Sequence, residues 1–207
     1  MSEYDWIWCA NEVEFKPSYS VHKPEFGKQA HEFMSPYWSF ELGLPPKDMT
    51  QRREIESFLA RTEGVGIVNV YDPRLPAPAY WQKYMDGHPP AGLIPELTIT
   101  AMDRVASTIK VLGQDGDLIT TGDPIAFTHE GVRYYFKAHH DLWLNGTEQS
   151  LDVFIRPRIS LSGLSIVADR ERPTARFLIE INDTGGRTGL NRMTDYRLSG
   201  VEYWGAL

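Results

Sequence analysis

From residue 97 to the end of the chain, short runs of β-branched and aromatic residues alternate with turn signals at steady spacing, which suggests a barrel or a sandwich. Leu97-Thr-Ile-Thr-Ala and Thr108-Ile-Lys-Val-Leu alternate apolar with polar residues, as half-buried strands do. Gly113-Gln-Asp-Gly-Asp117 follows as a turn. Pro124-Ile-Ala-Phe-Thr and Val132-Arg-Tyr-Tyr-Phe-Lys-Ala read as strands on either side of a His129-Glu-Gly turn. Asn145-Gly146 is a strong tight-turn signal. Ser150–Arg156 and Ala175–Ile181 are strands again. No internal repeat and no low-complexity tract interrupts the series.

The first half of the chain carries the same β signal around one helix. Glu12-Val-Glu-Phe-Lys16 alternates, and Pro17, Ser18 and Ser20 predict a turn. The stretch from His22 to Met34 reads as loop or edge structure. Tyr37-Trp-Ser-Phe-Glu-Leu42 is a strand with Trp38, Phe40 and Leu42 on one face, expected to end at Gly43-Leu-Pro-Pro46 because proline cannot donate to a central ladder. A helix is predicted over residues 49–62, capped by Asp48 or Thr50, with Ile55, Phe58 and Leu59 as a narrow apolar stripe that packs on a sheet. Gly64 fits its left-handed C-terminal position. Gly66–Tyr71 is a β-branched strand stopped by Asp72-Pro73. Residues 72–97 hold Pro73, Pro76, Pro78, Pro89, Pro90 and Pro95 and lack periodicity. They read as a surface loop, an ordered connection, or an arm that reaches another subunit.

Composition narrows the class. Hydrophobic residues at 42% and charged residues at 24% support a packed core rather than disorder. A net charge of −7 argues against duplex nucleic-acid binding, which needs cations to replace phosphate counterions. The single cysteine, Cys9, rules out an internal disulfide and reads as a small core residue. No stretch approaches the apolar length of a membrane span, and the acidic, aromatic N-terminal residues lack signal-peptide features, so synthesis in a cytoplasm is expected.

Catalytic and metal motifs are absent from the sequence: there is no phosphate loop, no His-Glu-x-x-His and no Gly-x-Ser-x-Gly. Gly113–Asp117 superficially resembles a calcium loop but lacks its later ligands. His139-His140-Asp141, with His129 nearby, is the most metal-like group, yet adjacent strand residues face opposite sides. Gly185-Gly-Arg-Thr-Gly189 follows a strand but leads into no helix that would complete an anion site. The expectation is therefore no catalytic residue, no metal and no cofactor: a protein that is not an enzyme. Trp38, Trp81, Trp143 and Trp204 remain open to stacking on sugar rings, a role that needs two of them exposed and coplanar. Core or interface packing fits each better.

Three passages resemble a family of tail proteins of phages and prophages of proteobacteria, similar to distal tail proteins. They are Tyr37–Pro46; Glu54-Ile-Glu-Ser-Phe-Leu-Ala-Arg61 with Gly64 and Ile67–Pro73; and the run Asp117–Ile125, Val132–Lys137 and Leu151-Asp-Val-Phe-Ile-Arg-Pro-Arg158. The closing Gly200–Trp204 also fits. The resemblance spans about residues 35–205 and implies a mainly β fold, a sandwich or barrel with one flanking α-helix. A tail-tube-like module over 1–97 would hold the helix and the Pro-rich arm. A second β module over 98–207 would follow, its C-terminal strands available to complete the first sheet.

The function implied is a structural subunit of the tail tip or baseplate, a ring joining the tail tube to the tip complex; a tail-completion adaptor and a carbohydrate-binding tail-tip module are the alternatives. The implied partners are copies of itself, in a six-fold or three-fold ring, together with tail-tube and hub or tip proteins; DNA would pass through the channel unbound, repelled by acidic residues. The implied location is the virion, after assembly in the bacterial host cytoplasm. Aromatic anchors concentrate contact energy, so Trp81, Tyr84, Trp143 and Trp204 are the candidate subunit-contact residues.

Overall fold

The computed structural model describes residues 12–22, 31–47, 53, 56–57, 60, 65–72, 74–82, 94–180, 187–188 and 194–205. The chain is mainly β, in several antiparallel sheets, and Ala79–Gln82 is a short helix. The strands are β1 (Glu12–His22), β2 (His31–Lys47), β3 (Val65–Tyr71), β4 (Leu97–Asp103), β5 (Thr108–Gly113), β6 (Leu118–Ile119) and β7 (Pro124–His129). They continue as β8 (Val132–Lys137), β9 (Leu142–Trp143), β10 (Gln149–Asp152), β11 (Leu161–Val167), β12 (Thr174–Glu180), β13 (Arg187–Thr188) and β14 (Thr194–Glu202). The helix α1 is Ala79–Gln82.

Sheet I runs in the order β1-β2-β14-β12-β3, with β13 paired to β14. It therefore joins strands from both ends of the chain. Sheet II runs β10-β5-β4-β11, and two small ladders, β6-β9 and β7-β8, complete the set.

The β7–β8 hairpin explains how these pieces cohere. Side chains alternate across a strand, so a hairpin can serve two cores at once. Ala126 and Tyr135 enter one core with Phe15, Trp38, Phe40, Val68, Val70, Ala175, Phe177, Ile179 and Leu198 of sheet I. Ile125, Phe127, Tyr134 and Phe136 enter the other, with Leu97, Ile99, Met102, Ile109, Val111 and Leu151 of sheet II. The apolar run Pro124–Phe127 is buried throughout because both of its faces are covered. In the first core Phe177 meets Phe40 at 4.6 Å and Phe15 at 5.2 Å, both edge to face, the geometry that the ring quadrupole favours.

Two proline expectations are corrected. Pro17 lies inside β1, opposite Trp38, because β1 is the edge strand of sheet I, where a missing donor is tolerated. The turn read at Ser18–Ser20 is a register shift within the strand. Similarly, β2 continues through Pro45 and Pro46 to Lys47. Its ladder to β1 reaches only Gly43, and its ladder to β14 shifts register between Leu44 and Lys47, so the prolines occupy a gap in the hydrogen bonding. The strand read over Ser150–Arg156 is shorter than expected, ending as β10 at Asp152 with Val153 bridged to Ala138.

Of the helix expected over 49–62, Arg53, Glu56, Ser57 and Ala60 are helical and exposed. Their spacing of three and four residues marks one wet face. The stripe Ile55, Phe58 and Leu59 lies outside the described residues, as does Cys9.

Candidate subunit-contact surface

The Pro-rich stretch opens by folding back onto the body rather than leaving it. Ala77 and Pro78 are buried, and Arg172 N donates to Pro76 O at 2.7 Å. Two buried carboxylates then hold α1. Asp123 accepts from Ala79 N and from Thr120 N, both at 2.8 Å. Burial raises the Asp123 carboxyl above its ordinary range although these donors, and nearby Arg170, pull the other way. Asp117 accepts from Trp81 Nε1 at 3.1 Å and from Leu118 N at 2.9 Å, and pairs with the buried Arg170 guanidinium. Arg170 also donates to Pro95 O at 3.1 Å. One buried ion pair thus ties down both the outgoing end of the Pro-rich stretch, at Trp81, and its return, at Pro95.

This clasp fixes an aromatic corner. Tyr80 stands edge-on between Trp81, at 5.4 Å, and Trp143 of β9, at 6.1 Å. Trp143 is 59% exposed. Trp81 is half-buried with its N–H engaged, so it acts as the base of the corner. Trp204 sits elsewhere, half-buried over the second core, with Tyr134 edge-on at 5.8 Å and the Arg158 guanidinium 4.1 Å above its ring. Tyr84 lies outside the described residues. Of the four aromatic candidates, two therefore meet at one corner and a third packs within the chain. Asp117, Asp123 and Arg170, which hold the corner, carry no signal in the sequence: their bonds to Trp81, to Ala79 and to each other span 36 to 53 residues.

A second polar group lies between the two cores. Glu202, the last residue of β14, is buried, and its Oε2 accepts from Trp38 N at 3.0 Å. Burial raises its carboxyl to about 8, against the pull of the Trp38 N–H, of Arg158 and of the Trp204 side chain. The hydroxyl of buried Tyr135 has no hydrogen-bond partner among the described residues. Nearby, Asp72 is buried and clamped by Arg74 through two side-chain bonds of 2.9 and 3.0 Å. Lys137 Nζ lies 3.6 Å from Asp72 and 5.2 Å from the Trp38 ring; its burial lowers the amine below its ordinary range. These groups connect elements and form no cleft-like constellation of acid and base.

The metal-like sequence groups disperse. His139 stacks edge-on against Phe154, His140 Nδ1 faces Asp152 at 3.5 Å, and Asp141 accepts from Thr121 N at 2.7 Å. His129 lies beside Glu130. Among the described residues no group of three or more His, Cys, Asp or Glu side chains could hold a metal ion. In Gly113–Asp117 the carboxylate of Asp117 turns inward to Arg170, away from any loop-bound cation. Asn145 makes the tight turn through its own side chain, which accepts from Thr147 N at 3.0 Å, with Gly146 at φ 73°. Arg187 and Thr188 of the glycine-rich loop form β13; its glycines lie outside the described residues. No helix among the described residues is long and apolar enough to cross a membrane.

The outward face of sheet I adds an apolar row. Ile67 of β3 stands opposite Leu178 of β12, which stands opposite Val201 of β14. Ile67 and Val201 are exposed and Leu178 is half-buried. At the two ends of the sheet, β1 and β3 each pair on one side only among the described residues.

Compared with models of protein families and with curated proteins, the chain matches none.

Proposed function

We propose that this chain is a structural subunit of a phage tail tip, a distal ring protein that joins the tail tube to the tip complex, with no catalytic role. The observation that carries the reading is the open form of sheet I. Its two end strands, β1 and β3, which each pair on one side only among the described residues, lie at opposite ends of the sheet and differ in sequence. Contact between copies through them is head-to-tail, and a head-to-tail contact closes into a ring when its rotation permits. The two edges are also unequally defended: Pro17 and the register shift blunt β1, while Gly66–Val70 of β3 contain neither proline nor charge. The apolar row Ile67–Leu178–Val201 adjoins that second edge. The resemblance of residues 35–205 to tail proteins supplies the biological setting, and the rigid aromatic corner supplies a contact for a neighbouring tail protein.

The carbohydrate reading has less support. Among the described tryptophans only Trp143 is exposed, and Tyr80, its ring neighbour, stands at 73° to it, so no flat stacking platform forms. Light scattering across a concentration range, followed by negative-stain imaging, tests the ring. The expected result is a closed assembly of about six copies with a central hole. A two-fold dimer that grows no further overturns it.

A further inference from the structure

Among the described tryptophans, three are committed within the chain. Trp38 donates its N–H to Tyr135 O and carries Lys137 over its ring; Trp81 donates to Asp117; Trp204 lies under Arg158. Stacking a cation on an aromatic ring is a repeated device here, since Arg172 also lies over Tyr71. Trp143 differs: it is 59% exposed, held from one side by the edge of Tyr80 on a corner that buried Asp117 and Asp123 make rigid.

The charge around Trp143 is lopsided. Residues 110–152 contain seven acidic residues (Asp115, Asp117, Asp123, Glu130, Asp141, Glu148, Asp152) and three basic ones (Lys110, Arg133, Lys137), a net of −4; of the acids, Glu148 is paired with Lys110 and Asp117 with Arg170. Each base is engaged elsewhere: Lys110 pairs with Glu148, Arg133 with Asp169, and Lys137 is drawn in towards Asp72. The β6–β9 ladder that carries Trp143 has an exposed carboxylate near each end. Asp115 approaches Gly146 on one side. On the other, Asp141 is held by Thr121 through one oxygen, a contact that keeps its carboxyl below the ordinary range.

We propose that Trp143, flanked by Asp115 and Asp141, is a docking notch for an arginine side chain of a different, basic protein. A guanidinium stacks on an indole face and is drawn there by nearby carboxylates. A second copy of this chain is the poorer occupant, because two surfaces of the same negative sign repel. The inference deepens the tail reading by naming the chemistry of a neighbour, yet it does not need the ring.

The test is a titration of the full chain with an octapeptide of alternating arginine and glycine, read by Trp143 indole NMR shifts. The same octapeptide with citrulline for arginine, which keeps the shape and removes the charge, is the control. Saturable shifts with the arginine peptide, absent with citrulline, are expected. Trp143→Leu should weaken binding about fivefold, with Asp115→Asn/Asp141→Asn weakening it by a similar factor and about 0.5 M salt reducing it further. All three side chains are exposed, so the variants should fold, which far-UV dichroism checks. Equal binding of the citrulline peptide, or an unchanged affinity in Trp143→Leu, overturns the notch. Indole shifts produced by a neutral oligosaccharide alone, or by raising protein concentration alone, overturn it in favour of a glycan or a second copy. A failure of ring formation alongside arginine-specific binding would refute the distal-ring reading and leave the notch standing.

Discussion

Replacing Glu202 with glutamine should remove one large pH-dependent contribution to the stability of this protein. The carboxyl sits between two cores, bonded through one oxygen to Trp38 N, and burial holds its proton up to a pH of about 8. In the unfolded chain the same group titrates near 4.5. A folded-state value above the unfolded one means that the stabilising contribution is complete below the unfolded value and is lost as pH rises through the folded value. The gap of about 3.5 units corresponds to roughly 5 kcal/mol at most, lost at about 1.4 kcal/mol per pH unit between 4.5 and 8. The glutamine carbonyl keeps the bond to Trp38 N and carries no charge at any pH. Urea unfolding of both proteins at pH 5, 7 and 9 measures the difference. The variant should match the wild type to within about 1 kcal/mol at pH 5 and exceed it by several at pH 9. Stability differences that stay constant from pH 5 to 9 would show that Glu202 ionises without cost and refute the burial argument.

Other substitutions probe separate parts of the structure. A Cβ on Gly200 would come within 2.6 Å of Phe40 Cε1 and 2.7 Å of Leu178 O, so Gly200→Ala should lower unfolding free energy by about 1–3 kcal/mol in the same assay. Asp117→Asn leaves the Arg170 charge buried without its counter-ion, and a loss of about 3–5 kcal/mol is expected; near-neutral behaviour in urea titration would mean that solvent reaches the pair. Tyr135→Phe removes a buried hydroxyl that has no partner and should be neutral or slightly stabilising in thermal melts, whereas a large loss would reveal a bond through water.

Much of the fold was legible because period-2 alternation is a local signal. The strands centred on Phe15, Phe40, Val68, Ile99, Val111, Phe127, Tyr135 and Phe177 all read from their own residues. What escaped depends on partners far along the chain. β11, Leu161–Val167, has no regular burial alternation because Gly163, at φ 71°, and a register shift break its ladder to β4. β14 contains Asp195, Arg197 and Gly200, so its own residues carry no clear alternation; it is a strand because β2 and β12 flank it, and Gly200 is needed where Phe40 and the Leu178 backbone leave no room. The prolines misled for the same reason: whether a missing donor matters depends on whether a neighbour occupies that side. At the aromatic corner the sequence singled out Trp81 and Trp143 as candidate contact residues but gave no sign that Tyr80 lies between them or that Asp117 holds one of them.

The order of strands in sheet I has a temporal meaning. Within the sheet, β3 pairs only with β12, and β2 has β14 on its inner side, so strands complete before residue 72 wait for residues made a hundred positions later. In a ribosome-bound chain that has emitted β1 to β3, β1 can pair with β2 at once, but the inner side of β2 and the β12 side of β3 have no native neighbour until sheet II has been spun out. The surfaces that would join one copy to the next therefore come into being only when synthesis passes residue 202. A chain released early has no finished sheet, so on the ring reading proposed above the strand order would screen out incomplete copies.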